Sequence, residues 1–336
     1  MPFPKICVFC EKPFVTAKRV AIACSTKCGN DHKSRRSRLE NEKEFATMKM
    51  QFETELKEAV VAKSNIDPES PLPSLWSASD QKPRAPDNAN DHLGRRILVI
   101  PDTQVKPGIN TDHIAWIGKY IAYKRPDYVV MLGDWWDMPS LCSYDKGKKS
   151  FEGRRYVDDV EAGNAAMKLL TSQYRSDTYH PEEHFLIGNH EDRITRATDL
   201  QAELTGLIGL HQLDLNGWIV HSFLQVVYLE GIAFSHYFTS GPMNRPVSSA
   251  AVMLRIAQGS AVQGHAQKVD IAVHEKTGKI AMMAGIAYRH EEEYLGPQGN
   301  NCRQQVVMLN ECMGDGVFDP MLVSLRYLEK RYGGGA

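Results

Sequence analysis

Asp127-Tyr128-Val129-Val130-Met131-Leu132-Gly133-Asp134-Trp135-Trp136-Asp137 is the stretch that decides how the chain reads. A short apolar run ends at a glycine, which is the signature of a buried strand. The glycine lets the backbone turn tightly, and two carboxylates, Asp134 and Asp137, follow three residues apart. In open α/β sheets, ligands bind at the carboxyl ends of strands, so this is where chemistry is expected. Taken alone, the same stretch also reads as a strand followed by an acidic turn.

Four further segments repeat the pattern. Arg95-Arg96-Ile97-Leu98-Val99-Ile100-Pro101 runs into Asp102-Thr103-Gln104, and His184-Phe185-Leu186-Ile187 into Gly188-Asn189-His190-Glu191-Asp192. Gly231-Ile232-Ala233-Phe234-Ser235 ends on His236, and Ala261-Val262-Gln263 on Gly264-His265-Ala266-Gln267. Five strand-like segments thus deliver Asp, Asn, His or Gln at their C-terminal ends. Carboxylate, imidazole and amide side chains are the donors that divalent metals take.

In this order the five blocks resemble the calcineurin-like metallophosphoesterases, whose pattern is Asp-x-His, Gly-Asp-x-x-Asp, Gly-Asn-His-Glu/Asp, a lone His and Gly-His-x-His. The likeness runs from roughly Arg96 to Lys330. It departs at two places, where Gln104 and Gln267 stand in for histidine. The resemblance implies an α/β (α+β) four-layer αββα sandwich and a site for two divalent metal ions (Mn, Mg or a Mn/Zn/Fe mixture). One metal would be held by Asp102, Gln104, Asp134 and Gln267, the other by Asp134, Asn189, His236 and His265. His190 would stand beside the leaving oxygen as acid or charge stabiliser, with Asp137 orienting it, because a carboxylate behind a histidine fixes its tautomer. Both glutamines fall on one metal. Gln keeps an oxygen donor and removes the nitrogen, so that site becomes all-oxygen and favours Mn, Mg or Ca over Zn. The alternative is a weakened or empty first site.

The chain has 336 residues, enough for one large domain and something small, with 42% apolar and 24% charged residues. No run of about 18 apolar residues marks a membrane span, and Met1-Pro2-Phe3-Pro4-Lys5 opens no signal peptide. A cytoplasmic protein with reduced thiols is expected. The formal charge of -1 conceals nine Lys/Arg against two Asp/Glu in residues 1–39, a basic head on an acidic body. Such a head suits a polyanion, or is simply a solvated surface.

Four of the seven cysteines crowd that head: Cys7 and Cys10, then Cys24 and Cys28. Paired thiolates on two turns suit tetrahedral zinc, and a cytoplasmic location disfavours disulfides. About forty residues bury little core, so the metal would supply folding energy. The block resembles treble-clef zinc fingers, with Ser25 capping a helix that carries Cys28, Lys33, Arg35, Arg36 and Arg38. This basic helix suits a reader of phosphate backbones or a protein contact. Cys142, Cys302 and Cys312 have no metal-like spacing.

The expected organisation is a four-cysteine zinc finger over 1–40, a helix over 41–63, a flexible linker over 64–94 and the catalytic domain over 95–330. The helix carries an apolar stripe of Phe45, Met48, Phe52, Leu56 and Val60. The linker holds Pro68, Pro71, Pro73, Pro83 and Pro86. Within the catalytic domain, Asn110-Thr111-Asp112 offers caps to a helix on which His113 is expected to face solvent, and Val157 to Gln173 reads as a second helix. Lys146, Lys148, Lys149, Arg154 and Arg155 put five cations in ten positions beyond Asp137, suited to substrate phosphates or to a solvated loop. Helix-flanked strands early and strand-rich sequence late predict two packed sheets with helices outside.

Three functions compete on these grounds. The first is a metal-dependent phosphodiesterase or nuclease on DNA or RNA, targeted by the finger. The second is a phosphomonoesterase or protein phosphatase. The third is a nucleic-acid-binding protein whose metal centre has decayed. The complete set Asp134, Asp137, Asn189, His190, His236 and His265 argues against decay, and the basic head favours the first. The oligomeric state is not legible.

Overall fold

The computed structural model describes residues 3–7, 12–16, 93–292 and 300–334. The chain divides into two compact units, Met1–Arg84 and Ala85–Ala336. In the first, β1 (Phe3–Ile6) and β2 (Pro13–Thr16) form an antiparallel hairpin, and the Cys7 amide donates to the Lys12 carbonyl at 2.9 Å. Cys7 is buried at the hairpin's end. Cys10, Cys24, Cys28, the helix over 41–63 and all but the end of the linker over 64–94 lie outside the described residues.

The second unit is mixed α/β. Its elements run β3 (Arg95–Ile100), α1 (Asp112–Lys124), β4 (Tyr128–Met131), α2 (Tyr156–Ser172), β5 (Glu182–Leu186) and α3 (Asp192–Leu200). Then come β6 (Ile219–His221), β7 (Val227–Leu229), β8 (Ile232–Ser235), β9 (Thr239–Ser240), β10 (Arg245–Pro246), α4 (Ala250–Ala257) and β11 (Ala261–Gln263). The chain finishes with β12 (Val269–His274), β13 (Lys279–Ala284), β14 (Gln305–Cys312), β15 (Asp319–Ser324) and α5 (Leu325–Tyr332). One sheet has the order β15-β14-β3-β4-β5-β6, with β3 to β6 parallel. The other has the order β12-β13-β11-β8-β7, in which β8, β11 and β13 are parallel.

Period-two alternation decides which face each side chain serves. Ile97 and Val99 of β3, Val130 of β4 and Val307 and Leu309 of β14 meet Ile232 and Phe234 of β8, Val262 of β11 and Met282 of β13 in one core between the sheets. Their neighbours Leu98, Ile100, Val129, Met131 and Phe185 point the other way, into a core with Ile114 and Ile117 of α1, Met167 and Leu170 of α2 and Leu325 and Leu328 of α5. On the second sheet, Ala233, Ala261, Ala281 and Met283 pack against Ala250 and Met253 of α4. Strands buried on both faces read as continuous apolar runs, which is why β3 and β4 are legible as strands.

At the α1 start one of the expected caps is present and His113 departs from expectation. Asn110 Oδ1 accepts the Asp112 amide at 2.8 Å, and Thr111 makes no side-chain cap. His113 is fully buried rather than solvent-facing, and neither ring nitrogen has a hydrogen-bond partner among the described residues. Burial, with His290 and Arg289 nearby, lowers its pKa to about 4. No described helix is long and apolar enough to cross a membrane.

Candidate metal centre

Five parallel strands from the two sheets, β3, β4, β5, β8 and β11, end at one place. Two glycines make the close approach possible. Gly133 takes φ +91°, and a Cβ there would stand 2.6 Å from the Gly188 amide nitrogen and the Leu186 carbonyl oxygen. A Cβ on Gly188 would lie 2.3 Å from the Asp134 backbone nitrogen and from its Oδ1. The β4 and β5 loops therefore pack backbone to backbone. Behind them, Glu191 accepts three amides: Gly188 and Asp134 on Oε2 and Trp136 on Oε1, each at 2.9 Å. Trp135 and Trp136 are buried, and Trp135 Nε1 donates to the Gly163 carbonyl at 3.0 Å.

At the centre, Asp134 Oδ1 accepts the His190 amide at 2.9 Å and lies 3.4 Å from His236 Nε2. Asn189 Oδ1 is 2.8 Å from His236 Nε2 and 2.7 Å from His265 Nδ1. One donor atom each of Asp134, His236 and His265 falls within 4.8 Å of the others. His236 Nδ1 sits 2.7 Å from the Leu132 carbonyl oxygen, which only accepts, so Nδ1 carries the proton. The Nε2 lone pair consequently faces the oxygens of Asn189 and Asp134. Turning the Asn189 amide would relieve its own two contacts and leave Asp134 Oδ1 against the imidazole. A cation among Asp134, Asn189, His236 and His265 satisfies all four donors together.

On the other side of Asp134, Asp102 Oδ1 accepts the His265 amide at 2.8 Å, while Asp102 Oδ2 is buried with no partner among the described residues. Gln104 is fully buried, and both its amide oxygen and its amide nitrogen lack partners there. Native interiors pair nearly all such groups, and a bound ion is one reason for an exception. Of the residues expected at the first metal, Asp102 and Gln104 thus each keep a buried oxygen that a cation could take. Gln267 is half-buried. Gln104, Asp134, His265 and Gln267 also take left-handed backbone conformations, at φ 45°, 54°, 59° and 52°. Such strain in non-glycine residues persists only where surrounding structure imposes it, and it clusters at functional sites.

The electrostatics carry excess negative charge. Burial, then the Asp134 carboxylate, pushes Asp102 well above the usual carboxylate range. The same two causes raise Glu191 to about 7 against its backbone donors. Burial would raise Asp134 too, but His190, by its charge and by its amide on Oδ1, overcomes it and holds Asp134 low. Burial lowers His236, and burial with His236 beside it lowers His265 to about 4, so both imidazoles are neutral, as metal ligation requires.

His190 and Asp137 form a pair: Nδ1 lies 2.9 Å from Asp137 Oδ1, and Nε2 lies 3.7 Å from Asp134 Oδ2. Burial opposes protonation of His190, but Asp134 and Asp137 prevail and raise its pKa. Asp137 is held low despite burial by His190, Lys106 and Arg193. Arg193 donates to the carbonyls of Asp137 at 2.6 Å and Met138 at 3.1 Å, and its Nη2 stands 3.0 Å from His190 Nε2.

Of the five cations beyond Asp137, two pair with Asp145. Asp145 pairs with Lys148 at 2.9 Å and with Arg154 at 2.8 Å, and Arg154 also donates to the Pro139 carbonyl at 3.1 Å. Lys146, Lys148, Lys149 and Arg155 are exposed, and Arg154 is half-buried. Sequence reasoning missed Glu191, Lys106, Arg193 and Glu292. Glu191 stands in the Gly-Asn-His-Glu block, and its place in that block was the available signal. No protein-family model matches the chain, and no curated protein matches it.

Proposed function

We propose that the chain is a metal-dependent phosphoesterase, a phosphodiesterase or nuclease on DNA or RNA, with the calcineurin-like four-layer αββα architecture that its motifs resemble. The observation that carries the reading is the convergence of Asp134, Asn189, His236 and His265, with the His236 Nε2 lone pair facing the oxygens of Asp134 and Asn189. Asp102 and Gln104 supply further buried donors without partners among the described residues. Divalent ions held there would neutralise a phosphate ester and supply hydroxide near neutral pH.

The protein's own part follows from its contacts. Asp134 would serve both metals, and it is held in place by the His190 amide on its Oδ1 and, through its own backbone amide, by Glu191. Asp137 Oδ1 lies 2.9 Å from His190 Nδ1, so Nε2 is the ring atom turned toward the site, and from the imidazolium that Asp134 and Asp137 favour it would give the leaving oxygen a proton or stabilise its charge. Arg193 beside Nε2 adds positive charge where that oxygen would depart. The preference for nucleic acid rests on the basic head of residues 1–39 and on the Cys7, Cys10, Cys24 and Cys28 pattern for one structural zinc.

The test is hydrolysis of labelled single- and double-stranded DNA, RNA and a chromogenic monoester, each with Mn, Mg or Zn. Metal-dependent cleavage of a nucleic acid supports the reading. Cleavage of the monoester alone supports a phosphomonoesterase, and no cleavage of any of them refutes both.

A further inference from the structure

Lys106 is fixed by its neighbours to the loop that carries Asp137. The Val105 amide donates to the Trp135 carbonyl at 2.7 Å, and the Asp137 amide donates to the Val105 carbonyl at 2.9 Å. The Lys106 ammonium reaches three carboxylate oxygens: both of Glu292 at 2.8 Å and Asp137 Oδ2 at 3.3 Å. Glu292 is 3% exposed. Its Oε1 also meets His290 Nε2 at 2.6 Å, and its backbone is clasped by Asn300, which accepts the Glu292 amide at 2.8 Å and donates to its carbonyl at 3.0 Å.

Asp137 therefore uses its two oxygens in two directions, Oδ1 toward His190 Nδ1 at 2.9 Å and Oδ2 toward Lys106. A carboxylate tied at one oxygen can turn about its Cβ–Cγ bond, and one tied at both cannot. Arg193 does not supply the second tie, since its Nη1 is 3.8 Å from Asp137 Oδ1 and makes its shorter bonds to two carbonyls. Two buried carboxylates with one shared ammonium are a costly arrangement to maintain for stability alone. Removing the cation would leave Glu292 with His290 alone and Asp137 with His190 and Arg193 on one side only.

We propose that Lys106 and Glu292 are positioning residues for His190. They clamp the Asp137 carboxylate beside His190 Nδ1, so that, together with Arg193 at Nε2, His190 keeps its proton on Nδ1 and presents Nε2 toward Asp134 Oδ2. The role given to His190 rests on the proposed function; the clamp itself is readable without turnover.

The experiment compares the full chain with Lys106→Met, Lys106→Arg and Glu292→Gln at one pH. Nitrogen-15 NMR of labelled histidines reads the His190 tautomer, its signal found by its loss in His190→Gln. Steady-state kinetics on a dinucleotide with Mn, and bound Mn, are measured beside it. In Lys106→Met the His190 signal should move from the Nδ1–H form to a mixture. Its kcat should fall on the order of tenfold, with KM and bound Mn unchanged. Lys106→Arg, which can still bridge two carboxylates, should restore the tautomer and most of kcat. The parent tautomer in Lys106→Met overturns the proposal, as does equal loss in Lys106→Arg. If Lys106→Met does not fold, Glu292→Gln carries the comparison, and an unshifted tautomer there overturns it. If the parent cleaves no ester at all, the functional reading fails while the tautomer still decides the clamp.

Discussion

Gln104→Met separates a metal ligand from a structural amide. Gln104 is fully buried, and neither of its polar atoms has a partner among the described residues. An unpaired buried polar group costs about 1–3 kcal/mol. Met matches the length and removes both groups, and swaps that conserve volume are well tolerated. Without metal the variant should be more stable, by on the order of 2 kcal/mol. For a unit of this size that raises Tm by about 4–8 °C. With metal the order should reverse. A ligand at 100 times its Kd stabilises by about 2.7 kcal/mol, and the variant loses part of that with its oxygen donor. The assay is calorimetry of parent and variant, first in chelator and then across a Mn titration. A variant that melts lower in chelator and gains as much from Mn as the parent would refute the reasoning. It would place a trapped water, not a cation, against the amide.

Three other outcomes are expected. Gln104→His with Gln267→His should move the metal preference toward Zn and Fe, because imidazole binds them more readily than an amide oxygen does, with each single change acting in part. A metal titration of binding across the four proteins reads this, and an unaltered preference counts against a shared site. Gly188→Ala should remove activity, since its Cβ would press 2.3 Å from the Asp134 nitrogen and Oδ1, and a shift of about 1 Å costs on the order of a hundredfold. Kinetics at saturating Mn check it, and near-parent rates would contradict the geometry. Stability should also fall with acid through His113. Its folded pKa of about 4 lies below the unfolded value near 6.5, so only the unfolded chain takes up this proton between those pH values. The stability present above pH 6.5 is lost on descending to about 4, on the order of 3 kcal/mol. His113→Met should flatten that slope in denaturant melts run from about pH 7.5 to about 4.5.

Much of the site is legible in the sequence because its residues follow short apolar runs. A run such as Ile97 to Ile100 dictates a strand locally, and whatever follows lies at the strand's carboxyl end. Asp102, Asp134, Asn189, His236 and His265 can all be read this way. The pairing of Lys106 with Glu292 cannot, because 186 residues separate them and only the packing of two sheets brings them together. Asp145 in turn holds Lys148 and Arg154, which composition alone counts with the free cations. His113 escapes the sequence for a related reason. Polarity puts it on the outer face of α1, but it sits in the first turn, where the Ala287 and His290 segment covers it.

The most direct test of the central claim is a Mn titration that follows bound metal and dinucleotide hydrolysis together, in the parent and in Asp134→Asn. On the proposed reading Asp134 would hold both cations, so binding and rate should rise together in the parent, and both should collapse in the variant. Hydrolysis by Asp134→Asn at the parent's rate, or Mn bound with no hydrolysis of any phosphate ester by the parent, would contradict the account.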